Sequence, residues 1–394
     1  MISSFLNSFK SFWRTRLKPL VDAGKYNRKV AKWIKSIPDF QTLSPVQKHL
    51  IIIRPDDIGD YILFRQSLER IRKGIAFSDW KITLVGNLLW KDLAIYLDKD
   101  FVDDWIWLDK KLWFKEASYR FSFFESLRTI FPAKVWIPAR TRHFFLEDTL
   151  ALAFQGIPVL ASGNAFCSYQ TQLEREWIDK VNYQHLLVSD PDTHERVFNR
   201  EVCSLFLNEL NHIPFSEMKL PAVAEHARFE GIGKNYIVLF PGASAASKRW
   251  PTAHFSEILS ILDRKTNCQL ILAGSGSDAV FAEEILQKSA NPKRILNFCG
   301  KTSLPELLYL LKKAKLLLSN DTSAAHMAAA LGTPTIVVCN GNKFGRFFPY
   351  PQNYQNVNAC FPSPNIEFNF GGRYSIGHIS PETVLKLCLR ALGK

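Results

Sequence analysis

Three short corners of the chain hold the polar residues whose types and spacing could do chemistry. In "RPDDIGDYILF", Arg54 to Phe64, three aspartates (56, 57 and 60) fall within five residues. Gly59 suits a tight strand-to-helix turn, which leaves Asp60 at the helix start. As a cap, Asp60 would satisfy free amides; projecting into a cleft, its carboxylate could accept the proton of a substrate hydroxyl. In "FPGASAASKRWP", Phe240 to Pro251, the small residues Gly242, Ala243, Ser244, Ala245 and Ala246 let amides and hydroxyls approach an anion. Lys248 and Arg249 add positive charge, so the corner reads as a phosphate cradle or as a solvated basic loop. It lacks the Gly-Lys-Ser/Thr of a Walker loop.

The third corner is "SNDTSAAHMAAALGTP", Ser319 to Pro334. Thr322, Ser323 and Ala324 would present hydroxyls and free amides at a helix N-terminus, a setting that favours anions. Asp321 would repel a phosphate if it pointed inward, so it is expected to cap the helix or to hold the loop. His326, in the first turn, serves either as a structural hydrogen-bonder or as a donor to a phosphate or leaving group. Two other stretches carry weaker signals. "AGSGSD", with Gly274 and Gly276, is half of a dinucleotide fingerprint and lacks the third glycine, which argues against a nicotinamide oxidoreductase. The Asp-x-Asp of "SDPDT" reads as a helix start, with Asp192 and Glu195 at capping-box spacing for a long helix over 190–211.

The elements that must position these corners alternate. "HLIIIRP", "WKITLVG", "WIWLD" and "KVWIPAR" read as buried strands, with "DYILFRQSLERIRK" as an amphipathic helix between the first two. After the looser Pro- and Gly-containing stretch 221–235, a second series runs through "YIVLFPG", "CQLILAG", "ILNFCG", "KLLLS" and "TIVVCN". Such alternation implies parallel sheets covered by helices. The expected architecture is therefore α/β, with two Rossmann-like domains facing across a cleft. A chain of 394 residues is long enough for two such cores. In open sheets of this kind ligands bind beyond the carboxyl ends of the strands, where all three corners fall.

Charge and composition narrow the partners. Residues 1–36 hold nine Lys or Arg against one acid, Asp22, out of a net charge of +13. Phe5, Phe9, Phe12, Trp13 and Leu20 recur there near helical spacing. This basic amphipathic start fits contact with an anionic membrane surface, or a helix packed on its own domain with a solvated basic face. A mitochondrial presequence shares its Arg-rich, acid-poor character, while its polar residues break any signal-peptide core. Beyond residue 40 the two signs are nearly balanced and no nucleic-acid motif occurs, so no nucleic-acid partner is expected. The cysteines (167, 203, 268, 299, 339, 360 and 388) form no Cys-x-x-Cys pair, and no His or Cys cluster has metal-ligand spacing. That usage fits a reducing cytoplasm without a metal centre.

Taken in order, these stretches resemble the heptosyltransferases of glycosyltransferase family 9, which build the core of bacterial lipopolysaccharide. "IIIRPDDIGDYILFRQSLERIR", "FPGASAASKRWP", "LAGSGSDAVFAEEI", "GKTSLPELLYLLKKAKLLLSNDTSAAHMAAALGTPTIVV" and "GHISPETVLKLCL" follow the family's order over residues 49 to 392. The resemblance implies a GT-B fold with an acceptor-side domain at 49–220 and a donor domain at 236–380; apart from it, the expected divisions are a basic extension at 1–48, a linker at 221–235 and a C-terminal helix at 381–394. It implies an inverting, metal-independent transfer from a nucleotide-sugar, ADP-heptose by default and an ADP- or UDP-sugar more broadly, with no cofactor. The acceptor would be a lipid-linked saccharide at the inner face of the bacterial inner membrane. Carried over by position, Asp60 matches the general base. Gly242, Ser244, Lys248, Asp321, Thr322, Ser323, Ala324 and His326 match donor contacts, with Gly274 and Gly276 as weaker ones. Arg140 and Arg142, after a strand end, could meet acceptor phosphates or line a solvated loop. The chain departs from the family at Ser323, where glycine is usual, and at Ala324–Ala325, where a small-large pair is common. A catalytically silent GT-B module at the membrane is the alternative reading.

Overall fold

The structure, a computed structural model, describes residues 18–38, 47–165, 171–188, 192–209, 218–221, 232–362 and 375–394, together with 190 and 229. The aromatic run from Phe5 to Trp13, Cys167 and most of the expected linker (222–228 and 230–231) lie outside the described residues. Two six-stranded sheets organise the rest. The first contains β1 (Gln47–Arg54), β2 (Lys81–Asn87), β3 (Asp104–Leu108), β4 (Pro132–Ile137), β5 (Val159–Ala161) and β6 (Tyr183–His185). The second contains β7 (Tyr236–Phe240), β8 (Gln269–Leu272), β9 (Ile295–Asn297), β10 (Leu316–Asn320), β11 (Thr335–Val338) and β12 (Val357–Cys360). Their orders are β3-β2-β1-β4-β5-β6 and β9-β8-β7-β10-β11-β12. Both are the same doubly wound order, and every pairing is parallel.

The strand sequences explain this. Parallel sheets are covered on both faces, so their central strands read as continuous apolar runs rather than alternating ones. Leu50, Ile51, Ile52 and Ile53 of β1, and Ile237, Val238 and Leu239 of β7, are fully buried. The chain divides into two compact units that interleave in sequence. One takes residues up to Pro55, Phe77–Leu88 and Val102–Leu187; the other takes Asp56–Ala76, Leu89–Phe101 and Val188–Lys394. The helices Ile58–Phe64, Gln66–Lys73 and Lys91–Asp98 therefore belong to the unit that holds the second sheet.

Two local expectations change. The long helix over 190–211 shortens to Glu195–Leu207, and its N-cap is His194 rather than Asp192. The His194 ring accepts from Arg196 N at 3.1 Å through Nδ1 and bonds the Phe347 carbonyl at 2.8 Å through Nε2. A long-range anchor thus decides where this helix begins, and Glu195 is buried against Arg346 instead of closing a capping box. The second change concerns the basic start. In the helix Lys18–Ile34 and the turn after it, Val30, Trp33 and Ile37 are buried in the first unit's core. Trp33 Nε1 donates to Thr149 Oγ1 at 3.1 Å, its ring meets Phe145 edge-on at 5.1 Å, and the Arg120 guanidinium lies 4.0 Å above it. Lys25, Arg28, Lys29, Lys32 and Lys35 are exposed, the Lys29 ammonium lying 4.5 Å from the Phe145 ring centroid. The apolar side of the described helix is spent on its own unit, which leaves a basic outer face. Among the described residues no helix is long and apolar enough to cross a membrane.

Trp33→Ala should cost the first unit about 3–5 kcal/mol, the range for truncating a buried aromatic. Hydrogen exchange should then rise along Lys18–Ile34 while the Ser323–Ala330 helix keeps its protection. Unchanged exchange in Lys18–Ile34 would show that Trp33 is not the anchor.

Candidate active site

The second sheet reverses its strand order between β7 and β10, and the loops that leave these strands flank that switch point. One buried side chain fastens them together. Asn320, at the end of β10, donates through Nδ2 to the carbonyls of Pro241 (2.7 Å) and Gly242 (3.2 Å). Its Oδ1 accepts from Trp250 N at 3.1 Å. Asn340, after β11, adds a bond to the Ser247 carbonyl at 3.0 Å. Across this frame Lys248 Nζ meets Asp321 Oδ2 at 2.8 Å, with the two side chains 23% and 11% exposed. Of the two roles expected for Asp321, the structure supports holding the loop. Thr322 is the N-cap, and its side chain takes no amide of the helix; its hydroxyl pairs with Ser319 Oγ at 2.9 Å. The first amides of Ser323–Ala330 thus keep their partial positive charge uncapped by a side chain, beside an ammonium. Ser323 is half-buried, Ala324 is buried, and Ser244 is exposed on the facing loop.

Asp60 belongs to the same unit and stands in the first turn of Ile58–Phe64, whose N-cap is Asp57. Asp57 thus takes the N-cap position, with Asp60 three residues further on. This short helix is held from behind. Tyr61 stacks on Trp90 with centroids 4.4 Å apart, and Trp90 Nε1 donates to the Asp56 carbonyl at 2.9 Å. Tyr61 also donates to buried Asp98, which Arg65 Nε contacts at 3.1 Å. In front, the helix abuts the start of Ser323–Ala330. A Cβ placed on Gly59 would lie 3.1 Å from His326 Cδ2 and 3.8 Å from Ser323 Cα. Leu63 packs against Ala325 and Ala329 in one cluster, so the small alanines set how closely the helices approach.

His326 is 4% exposed, with Nδ1 bonded to Tyr350 Oη at 2.9 Å and its ring stacked on Phe348. Burial first, then the nearby His194 and Lys248, push its pKa down to about 3, against the pull of Glu195. It is a neutral imidazole that sets the spacing between the two helices.

Packing also demands the glycines. A Cβ on Gly242 would fall 2.1 Å from Asp278 Cγ, and one on Gly274 would fall 2.9 Å from Asp278 Cβ. Asp278 accepts from Ser275 N and Oγ, closing the turn after β8, and both glycines make room for it. Gly276 faces open space, though its Cα lies 2.8 Å from where Gly300 would carry a Cβ. In the first unit, Arg142 is 5% exposed and consumed internally: Nε meets Asp148 Oδ1 at 2.9 Å, and the guanidinium lies 4.5 Å above Tyr183. It has no reach toward an acceptor phosphate, whereas Arg140 is half-buried at the strand end. Asn320 and Lys343 are the residues that sequence reasoning passed over. The only local signal for Lys343 is the pair Gly341 and Gly345, whose positive φ values (82° and 79°) turn the loop around it. No three His, Cys, Asp or Glu among the described residues converge as metal ligands.

Residues 183–368 match the model of glycosyltransferase family 9 (heptosyltransferase). The matched region, just under half of the chain, is similar to the heptosyltransferases of that family. A solved glycosyltransferase of family 9 from Veillonella parvula superposes with a TM-score of 0.68 at 17% identity, covering 89% of this chain and 99% of its own. The Escherichia coli heptosyltransferase with ADP-2-deoxy-2-fluoro heptose gives 0.63 at 18%, covering 87% and 99%. At such identities the likeness is one of fold, and the fold is GT-B. In sequence, lipopolysaccharide heptosyltransferase 3 of Escherichia coli is 28% identical over 127 residues, 32% of this chain and 36% of that protein. The aligned stretch thus spans about a third of the length of the curated relatives. The region matched to the family model contains Ser244, Lys248 and Asp321 through His326; Asp60 precedes it.

His326 gives the site a pH signature in stability. Its folded pKa lies below its unfolded value of 6.5, so below that pH the unfolded chain binds a proton that the folded chain refuses until about pH 3. Stability should fall with falling pH across this window, by up to roughly 1.4 kcal/mol per unit. In urea unfolding between pH 7 and 4, wild type should lose more stability than His326→Gln. Parallel profiles would show that the imidazole is not held neutral.

Proposed function

We propose that the chain transfers a glycosyl group from a nucleoside-diphosphate sugar to a hydroxyl of a lipid-linked saccharide, with inversion at the anomeric carbon. The observation that carries this reading is the shared helix. The uncapped start of Ser323–Ala330, beside Lys248, meets the turn that bears Asp60. Leaving group and nucleophile need opposite help, and one helix terminus sits next to both kinds of group.

A sugar hydroxyl is a weak nucleophile. In the proposed step the Asp60 carboxylate takes its proton as the oxygen attacks the anomeric carbon. The bond from that carbon to the diphosphate oxygen breaks, and its electron pair leaves with the nucleoside diphosphate. The growing charge falls to the amides of Ser323 and Ala324, the Thr322 hydroxyl and Lys248, contacts whose loss typically costs about 2.7–4 kcal/mol in the transition state. Ser244 faces the same anion from the other loop. Asp321 holds Lys248 in place before the donor arrives. ADP-heptose is the donor that the relatives favour, and a lipopolysaccharide core is the acceptor. Such a substrate lies on the cytoplasmic face of the inner membrane, toward which Lys25, Arg28, Lys29, Lys32 and Lys35 would turn as a peripheral contact.

Asp60→Asn keeps the shape of the side chain and removes the base. Transfer assayed with ADP-heptose and a lipopolysaccharide-core acceptor should fall at least about 100-fold in kcat, with donor affinity retained. Full activity in the variant would remove Asp60 from the mechanism.

A further inference from the structure

The geometry points to Lys343 as a second cation that binds the donor's diphosphate, supplying charge that Lys248 alone cannot. This inference rests on the donor-site reading above and adds to it a residue outside the motifs quoted from the sequence.

Lys343 sits in the loop that follows β11, the strand next to β10. Gly341 and Gly345 turn the chain on either side of it. With Asp321, Asn340, Phe344, Phe347 and Phe361 it lines a pocket at the carboxyl end of these strands. The loop is tied to the Lys248 corner through the Asn340–Ser247 bond. Asp321 is common to the pocket and to the ion pair, so the pocket adjoins the proposed diphosphate position.

The cations here are not equivalent. Lys248 is committed to Asp321 at 2.8 Å, and Arg346 to Glu195 at 3.0 Å. Lys343 makes no ion pair with any described residue; its ammonium rests 5.1 Å from the Phe347 ring centroid. Burial of the ammonium, with Arg346 and Lys248 close by, lowers its proton affinity, and Asp60 and Asp321 oppose them. Four charges therefore act on Lys343, and of the three cations in this group it is the one without a carboxylate in an ion pair. A nucleoside diphosphate at the start of Ser323–Ala330 would give this ammonium the anion it lacks. Phe347 holds the flexible stem in a limited range, which lowers the entropy lost when the contact forms.

The test is calorimetric titration of ADP, and in parallel UDP, GDP and CDP, into the full-length wild type, Lys343→Gln, Lys343→Arg and Lys248→Ala. Wild type should bind one of them. Lys343→Gln should weaken that binding about ten- to a hundredfold, the range for a charge-assisted hydrogen bond, and Lys343→Arg should recover most of it. If Lys248→Ala weakens binding and Lys343→Gln does not, the second-cation inference is overturned while the donor site stands. Equal losses in the Gln and Arg variants would assign the effect to loop packing and likewise overturn it. A wild type that binds none of the four nucleotides would remove the donor-site reading itself.

Discussion

The Asn320 side chain is the constraint on which the rest of the site depends. It is fully buried where the second sheet reverses its strand order, and its amide bonds both ends of the loop that follows β7. A buried amide or carbonyl left without a partner costs about 1–3 kcal/mol, so these bonds are held rather than sampled. With the loop so fixed, Lys248 has one direction to point, and Asp321, the next residue after Asn320, receives it. A single residue thereby sets the distance between the two strand-end loops, and with it the width available to a ligand.

From that frame the electrostatics follow. The ion pair neutralises Lys248 in the free protein and fixes its position, so the site needs little rearrangement to meet an anion. The helix that starts at Ser323 adds amide dipoles in the same direction. Its alanines let Ile58–Phe64 approach until Gly59 touches the His326 ring, which places the Asp60 turn against the same helix terminus. Larger residues at 325 or 329, or a side chain at 59, would separate base and leaving-group site. The Tyr61, Asp98 and Arg65 cluster supports this short helix from the opposite side, so its seven residues need no stability of their own.

Much of the fold was legible in the sequence. Strands buried on both faces announce themselves as apolar runs, and "HLIIIRP", "YIVLFPG" and "TIVVCN" all form central parallel strands. The polar corners were legible as well, because strand-end loops in an α/β sheet concentrate residues that packing does not require. What stayed hidden were the choices made by distant partners. Asp192 has the local look of a cap, yet His194 wins because its ring also reaches Phe347. Gly242 and Gly274 look like phosphate-loop glycines, and nothing local shows that the side chain of Asp278 also needs the space beside them. Arg142 reads as a free cation beside a strand end and is instead consumed by Asp148. Nor does any local pattern reveal Asn320, whose polar atoms would be satisfied as easily by water in a loop. The packing of the Ile58–Phe64 helix with the second sheet's unit likewise follows from tertiary contact, since sequence order alone would assign it to the first.

The central claim is that the start of Ser323–Ala330 and the Lys248 corner together receive a nucleoside diphosphate. Backbone amide NMR of the full chain during titration with ADP tests it most directly. The account predicts the largest shifts at Ser323, Ala324 and Lys248, saturating together, with little change in the first unit. Saturable shifts confined to other loops, or to the Gly274–Asp278 turn alone, would contradict it.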